Sequence, residues 1–231
     1  MRTYISNAEL EELGTGIVYG YTKGNKKDLE CVDIEGMIVD YLCLPIIYVS
    51  FEDTQKIGFL ADGLTPLHIV EENIMETVIY PAGSIVLDRK LLLPSETGRR
   101  RFTLAHEAAH WILNRHHPSG QYSPAGNNKE NNQEETCEST VESQADRLAA
   151  VMLMPEVTVQ NAVRLYTGRD RMKVYGNMVF APEEKSAMRK IAEHIGVSYS
   201  ALFYRLKELE LFEIHDIQEY IHEDLQLGVR L

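Results

Sequence analysis

The sequence predicts an α+β fold in which a small antiparallel sheet lies against a long helix, with further helices after it. Three observations predict it. Short β-rich runs separated by Gly, Pro and Asp fill residues 33–94, apolar residues recur at helical spacing from Pro94, and that spacing returns beyond residue 136. Two domains are expected, the sheet and its helices over 1–168 and a helical extension over 169–231.

Within 33–94, DIEGMIVDYL predicts a short helix, and PIIYVSF, KIGFLA, TVIY and SIVLD predict strands. The run SETGRRRFTLAHEAAHWILNR has no internal proline, and its Phe102, Leu104, Ala105, Ala109, Ile112 and Leu113 recur at helical spacing. Residues 116–136 predict a mobile loop, because turn formers give way to an Asn-rich run with no apolar residues to bury. ESTVESQADRLAAVMLMP then predicts a second helix on Val141, Ala145, Leu148, Ala149 and Met152, stopped at Pro155. Further helices are predicted at 156–166, 183–195, 199–209 and 213–223.

Composition narrows the function. Among 231 residues, 23 basic against 35 acidic side chains leave a formal net charge of −12, which opposes broad attraction to nucleic acid or an anionic membrane. No segment approaches 18 continuous apolar residues, and MRTYISNAELEELGTG lacks a secretory pattern, so a cytoplasmic protein with no membrane partner is expected. Cys31, Cys43 and Cys137 are odd in number and widely spaced, which predicts reduced thiols.

The most informative stretch is RRRFTLAHEAAHWIL, residues 99–113. Four residues turn a helix through about 400°, so His106 and His110 lie roughly 40° apart and about 6 Å along one face. Both imidazoles can reach one ion. Glu107 projects about 100° round the helix, where it lies beside a metal-bound water rather than on the metal, the place for a general base. A shuffled sequence of this composition shows His-Glu-x-x-His with a probability of roughly 3%. The flanking Leu104, Ala105, Ala109 and Leu113 predict a buried helix, in which partnerless histidines would be costly.

Catalytic zinc needs three protein ligands and keeps one position for water. Glu138, Glu142 and Asp146, at i, i+4 and i+8, share one face of the second helix, and an acidic stripe on a solvated face is the ordinary reading of such spacing. The small residues Ala145 and Ala149 let this helix pack closely on another, which favours Glu142 as the third ligand. Asp146, one turn on, suits a carboxylate that receives the second ring N–H of a metal-bound histidine.

With those residues on the page, the chain resembles the ImmA/IrrE-type zinc metallopeptidases, regulators of bacteria and their mobile elements. The resemblance rests on RRRFTLAHEAAHWIL, ESQADRLAAVMLMP and IGVSYSALFYRLKELEL and covers about residues 33–211. It implies a zincin-like domain with one zinc on His106, His110 and Glu142, Glu107 as base, and Asp146 behind a histidine. Ala109 stands where the family usually has Gly. The resemblance also implies a protein substrate, a helix-turn-helix repressor encoded nearby, whose backbone pairs with an edge strand; SIVLD or TVIY is expected to supply that edge.

In EEKSAMRKIAEHIGVSYSALFYRLKELELF, the spacing of Ile191, Ala192, Ile195, Leu202 and Leu206, the turn at Gly196 and an N-cap at Ser198 predict a helix-turn-helix-like extension. Arg205 and Lys207 are its candidate DNA or partner contacts, offset by Glu208 and Glu210, so DNA is not the favoured partner. His116 and His117 read as loop histidines, and Arg99–Arg101 as solvated or paired with acids such as Glu96. The expected function is a zinc endopeptidase that cleaves a regulatory protein. The alternative is a non-proteolytic DNA- or protein-binding regulator with a structural metal or none.

Overall fold

A computed structural model describes residues 5–25, 30–116 and 132–223. The chain divides into two compact units, residues 1–27 with 33–153 and residues 28–32 with 154–231. The division therefore falls at Leu153/Met154, earlier than the expected 168.

The first unit opens with α1 (Asn7–Asn25), which the sequence reading did not foresee. Its start is a capping box: Glu9 N–H donates to Ser6 Oγ at 3.3 Å, and Ser6 N–H donates to Glu9 Oε2 at 2.8 Å. Glycine inside α1 serves packing, since a Cβ at Gly14 would lie 2.6 Å from Val151 Cγ1. A single turn, α2 (Ile34–Gly36), is capped by Asp33 and runs on into a π-helix over Met37–Tyr41.

Five strands follow: β1 (Ile46–Val49), β2 (Gly58–Leu60), β3 (Leu67–Glu71), β4 (Ile74–Val78) and β5 (Ile85–Asp88). They form a three-stranded sheet of order β1-β5-β2 and a β3-β4 hairpin. The expected antiparallel sheet is in fact mixed, because β5 runs parallel to β1 and antiparallel to β2. All four residues of β5 are buried, as a strand covered on both faces requires. Val49, Phe51, Phe59, Leu67, Ile69 and Val86 form a core between the sheet and the hairpin.

Helix α3 (Thr97–His116) carries the two histidines, and α4 (Asn132–Leu153) carries the acids. Most of the loop expected over 116–136, with His117, lies outside the described residues, and α4 has already begun at Asn132. The side chains of His116, Cys137 and Glu138 lie outside them too. Leu104, Ala105, Ala108 and Ala109 of α3 and Ala145, Leu148, Ala149 and Met152 of α4 are fully buried. Small residues on both sides let the two helices approach closely.

The second unit contains α5 (Glu156–Thr167), β6 (Met172–Tyr175), α6 (Pro182–Ile195), α7 (Tyr199–Glu208), β7 (Phe212–His215) and α8 (Ile217–Glu223). Pro155 separates α5 from α4, and α5 packs against α6, which explains the earlier boundary. The helix expected over 213–223 starts instead as β7, paired in parallel with β6, and becomes helical only at Ile217. Gly196, at φ 75°, ends α6 in the left-handed conformation, and Ser198 Oγ caps α7 by accepting from Ala201 N–H at 3.1 Å. Among the described residues no helix is long and apolar enough to cross a membrane. Cys31 and Cys43 are free thiols.

Candidate metal and active site

The α3–α4 contact brings three donor groups together. One ligand atom from each of His106, His110 and Glu142 lies within 4.8 Å of the others. His106 Nε2 stands 3.3 Å from Glu142 Oε2, and His110 Nε2 stands 3.5 Å from Glu142 Oε1. The two Nε2 atoms are themselves 2.8 Å apart. Helical spacing puts the histidines on one face, and the close packing of α4 through Ala145 and Ala149 delivers the carboxylate to it.

Asp146, one turn beyond Glu142, occupies the back of the first histidine. Its Oδ1 lies 2.9 Å from His106 Nδ1, which fixes the ring and leaves Nε2 directed at the other donors.

This arrangement needs a cation. With Nδ1 donating to Asp146, a neutral His106 would aim the Nε2 lone pair at the Glu142 carboxylate and at a second imidazole nitrogen. Burial works against charge on His106, but hydrogen bonds to Asp146 and Glu142, joined by the charges of Glu107 and Asp146, outweigh it and push the imidazole up to about 10. The same hydrogen bonds from His106 and His110 hold the Glu142 carboxyl well below the usual carboxylate range. Two imidazole nitrogens and one carboxylate are a three-ligand catalytic zinc set, so the residues present fit that metal.

Glu107 stays off this cluster and is 8% exposed. Burial pushes its carboxyl up, and the Glu142 charge adds to the effect; the charges on His110 and His106 and a hydrogen bond from the Leu60 backbone oppose it. A carboxylate raised above its ordinary range is better matched to proton transfer near neutral pH.

Strand β2 borders this glutamate. Ala61 N–H donates to Ser84 O and Asp88 N–H donates to Ile57 O, so the intervening Leu60 N–H faces away from β5, toward Glu107. The expectation that SIVLD supplies the open edge is overturned, because β5 is the central strand with a neighbour on each side. TVIY falls on β4 and its continuation, in the separate hairpin paired with β3. The edge strand beside the glutamate is β2, and KIGFLA carried no sequence signal to single it out.

Arg205 corrects another expectation. It is 1% exposed, its Nε donates to Met154 O at 2.9 Å, and its Nη1 lies 3.4 Å from Glu208 Oε2. A guanidinium buried in this way is not offered to a phosphate. Lys207 is exposed. At the start of α3, Arg99 pairs with Glu96 at 3.8 Å and Arg100 with Glu35 at 3.1 Å.

The family model for the M78 peptidases, described as the IrrE N-terminal-like domain, matches residues 83–207, more than half of the chain. The match begins beside β5 and runs through α3, α4 and most of α7. No curated protein matches the chain.

Proposed function

The chain belongs to the M78 peptidase family, and from that premise we propose that it is a zinc-dependent endopeptidase in which Glu107 is the general base. The observation that carries this reading is the convergence of His106, His110 and Glu142 with a buried glutamate held just outside the cluster. A purely structural zinc site takes a fourth protein ligand and has no use for a base.

Zinc bound by these three residues would lower the pKa of a bound water to about 7 and polarise the scissile carbonyl. Glu107 accepts the proton of the attacking water and returns it to the departing amine. Asp146 keeps His106 in the tautomer that presents Nε2. Apart from the Leu60 N–H that Glu107 accepts from, the edge of β2 offers its outward-facing backbone groups to an extended substrate segment, which is strand addition at a sheet edge.

The substrate is proposed to be a regulatory protein in the cytoplasm, a helix-turn-helix repressor encoded near this gene. The likeness of three sequence motifs to ImmA/IrrE-type regulators supports it, and the net charge of −12 favours a protein over a nucleic-acid target. Burial of Arg205 weakens the alternative in which the carboxyl-terminal helices bind DNA.

The test pairs zinc-loaded wild type and Glu107→Gln with the repressor encoded beside the gene. Wild type is expected to cut it. Glu107→Gln is expected to retain about one zinc per chain while cleavage falls by roughly 10²- to 10⁴-fold. A Glu107→Gln protein that cuts at the wild-type rate overturns the mechanism.

A further inference from the structure

We propose that Gly58 is a positioning residue for Glu107: the missing side chain at this place on β2 lets the glutamate carboxylate stand between the strand and the ligand face of α3. The proposal rests on the reading of Glu107 as the base.

A glycine inside a strand is unfavourable on its own, and it often marks a close approach by another group. Gly58 is not needed for an unusual backbone, since its φ lies outside the left-handed region that other glycines of this chain adopt. In the ladder it merely faces Leu87, a place open to any strand-forming residue. Space explains it. A Cβ at position 58 would lie 2.5 Å from Thr103 Cγ2 and 2.7 Å from Glu107 Oε1, closer than real Cβ atoms come.

The two neighbours differ in how they can yield. Thr103 is buried and β-branched, and its Oγ1 donates to Arg99 O at 3.0 Å, so its rotamer is held. The Glu107 carboxylate is the far end of a longer side chain, anchored to β2 by the Leu60 N–H. An alanine at 58 therefore displaces the carboxylate and breaks its hydrogen bond to Leu60. A misplacement of about 1 Å at a reacting group costs on the order of 100-fold in rate. Because Gly58 acts through the base, the loss falls on kcat, and KM stays close to wild type.

The experiment uses the full-length, zinc-loaded protein with Gly58→Ala, Thr103→Ser and the double variant. Thr103→Ser removes the 2.5 Å contact and keeps the hydroxyl, so the double variant relieves strain on the fold but not on Glu107. The double variant is expected to hold one zinc per chain and still lose about 100-fold in kcat on the neighbouring repressor. Recovery of the wild-type kcat in the double variant overturns the proposal, because the loss then belongs to Thr103.

A second readout is independent of cleavage. In ¹⁵N-labelled protein the Leu60 amide is expected to exchange with solvent faster in the double variant, by the same factor as in Glu107→Ala. An unchanged Leu60 amide overturns the positioning role. Wild type that does not cut overturns the peptidase reading alone, and the amide measurement still decides the role of Gly58.

Discussion

In α3 and α4 the polar side chains of His106, His110 and Glu142 turn toward one another, whereas in α7 the guanidinium of Arg205 turns inward onto the Met154 carbonyl. Both regions place charged or titratable residues on amphipathic helices at helical spacing. Their roles separate on how each polar group is satisfied. Arg205 finds acceptors within its own unit, so its charge serves the core. His106 Nε2, His110 Nε2 and the Glu142 carboxylate instead face one another, an arrangement of donor atoms that suits a metal ion. Convergence of metal-type donor atoms marks the site that binds something.

The largest expected effect breaks the convergent side of this comparison. His110→Ala removes a donor whose side chain is only 8% exposed and leaves two ligands, too few for a catalytic zinc site. Zinc content, measured on the purified protein, should fall from about one per chain to near zero. Retention of one zinc per chain would place the metal elsewhere.

Arg205→Ala probes the compensated side and should be smaller. The change strips a charged donor from the Met154 carbonyl and opens a cavity in a fully buried position, which costs about 3 kcal/mol. The urea midpoint should drop accordingly, while the exposed Lys207→Ala stays within about 0.5 kcal/mol of wild type. An Arg205→Ala protein of unchanged stability would return this arginine to the surface role its sequence position suggested.

The contrast also explains what was legible in the sequence. His106, His110, Glu107, Glu142 and Asp146 could be placed together because helical periodicity converts sequence spacing into a shared face. Strand arrangement has no such local code. That β5 is central and β2 lies beside Glu107 depends on pairing between distant segments. The unbroken apolar run of β5 was the available hint of a strand buried on both faces. Helix α1 was hidden by Gly14, Gly16 and Gly20, which depress helix propensity, although the Ser6–Glu9 capping box announced it. In β7 the alternation in Phe-Glu-Ile-His has strand period, and it was overrun by the helical pattern of the residues around it. The burial of Arg205 was not legible, since a lone arginine at helical spacing reads the same whether it faces solvent or a carbonyl.

The smallest expected effect sharpens the comparison at Asp146. This carboxylate touches His106 only through Nδ1, so Asp146→Asn should leave the site assembled and weaken zinc binding by about 10- to 100-fold in a chelator competition. Without metal the substitution has a second signature. The His106 pKa is raised from 6.5 to about 10 in the folded protein, so its stabilising contribution is whole below about pH 6.5 and is lost as pH rises through about 10. Asp146→Asn removes a hydrogen bond and a charge that hold the imidazole protonated, so the loss of metal-free stability on alkalinisation should begin at lower pH than in wild type. Urea unfolding of the two metal-free proteins across pH 6 to 10 measures the displacement. If both lose stability over the same pH range, Asp146 does not govern His106, and the proton that stands in for the metal is held by Glu142 alone.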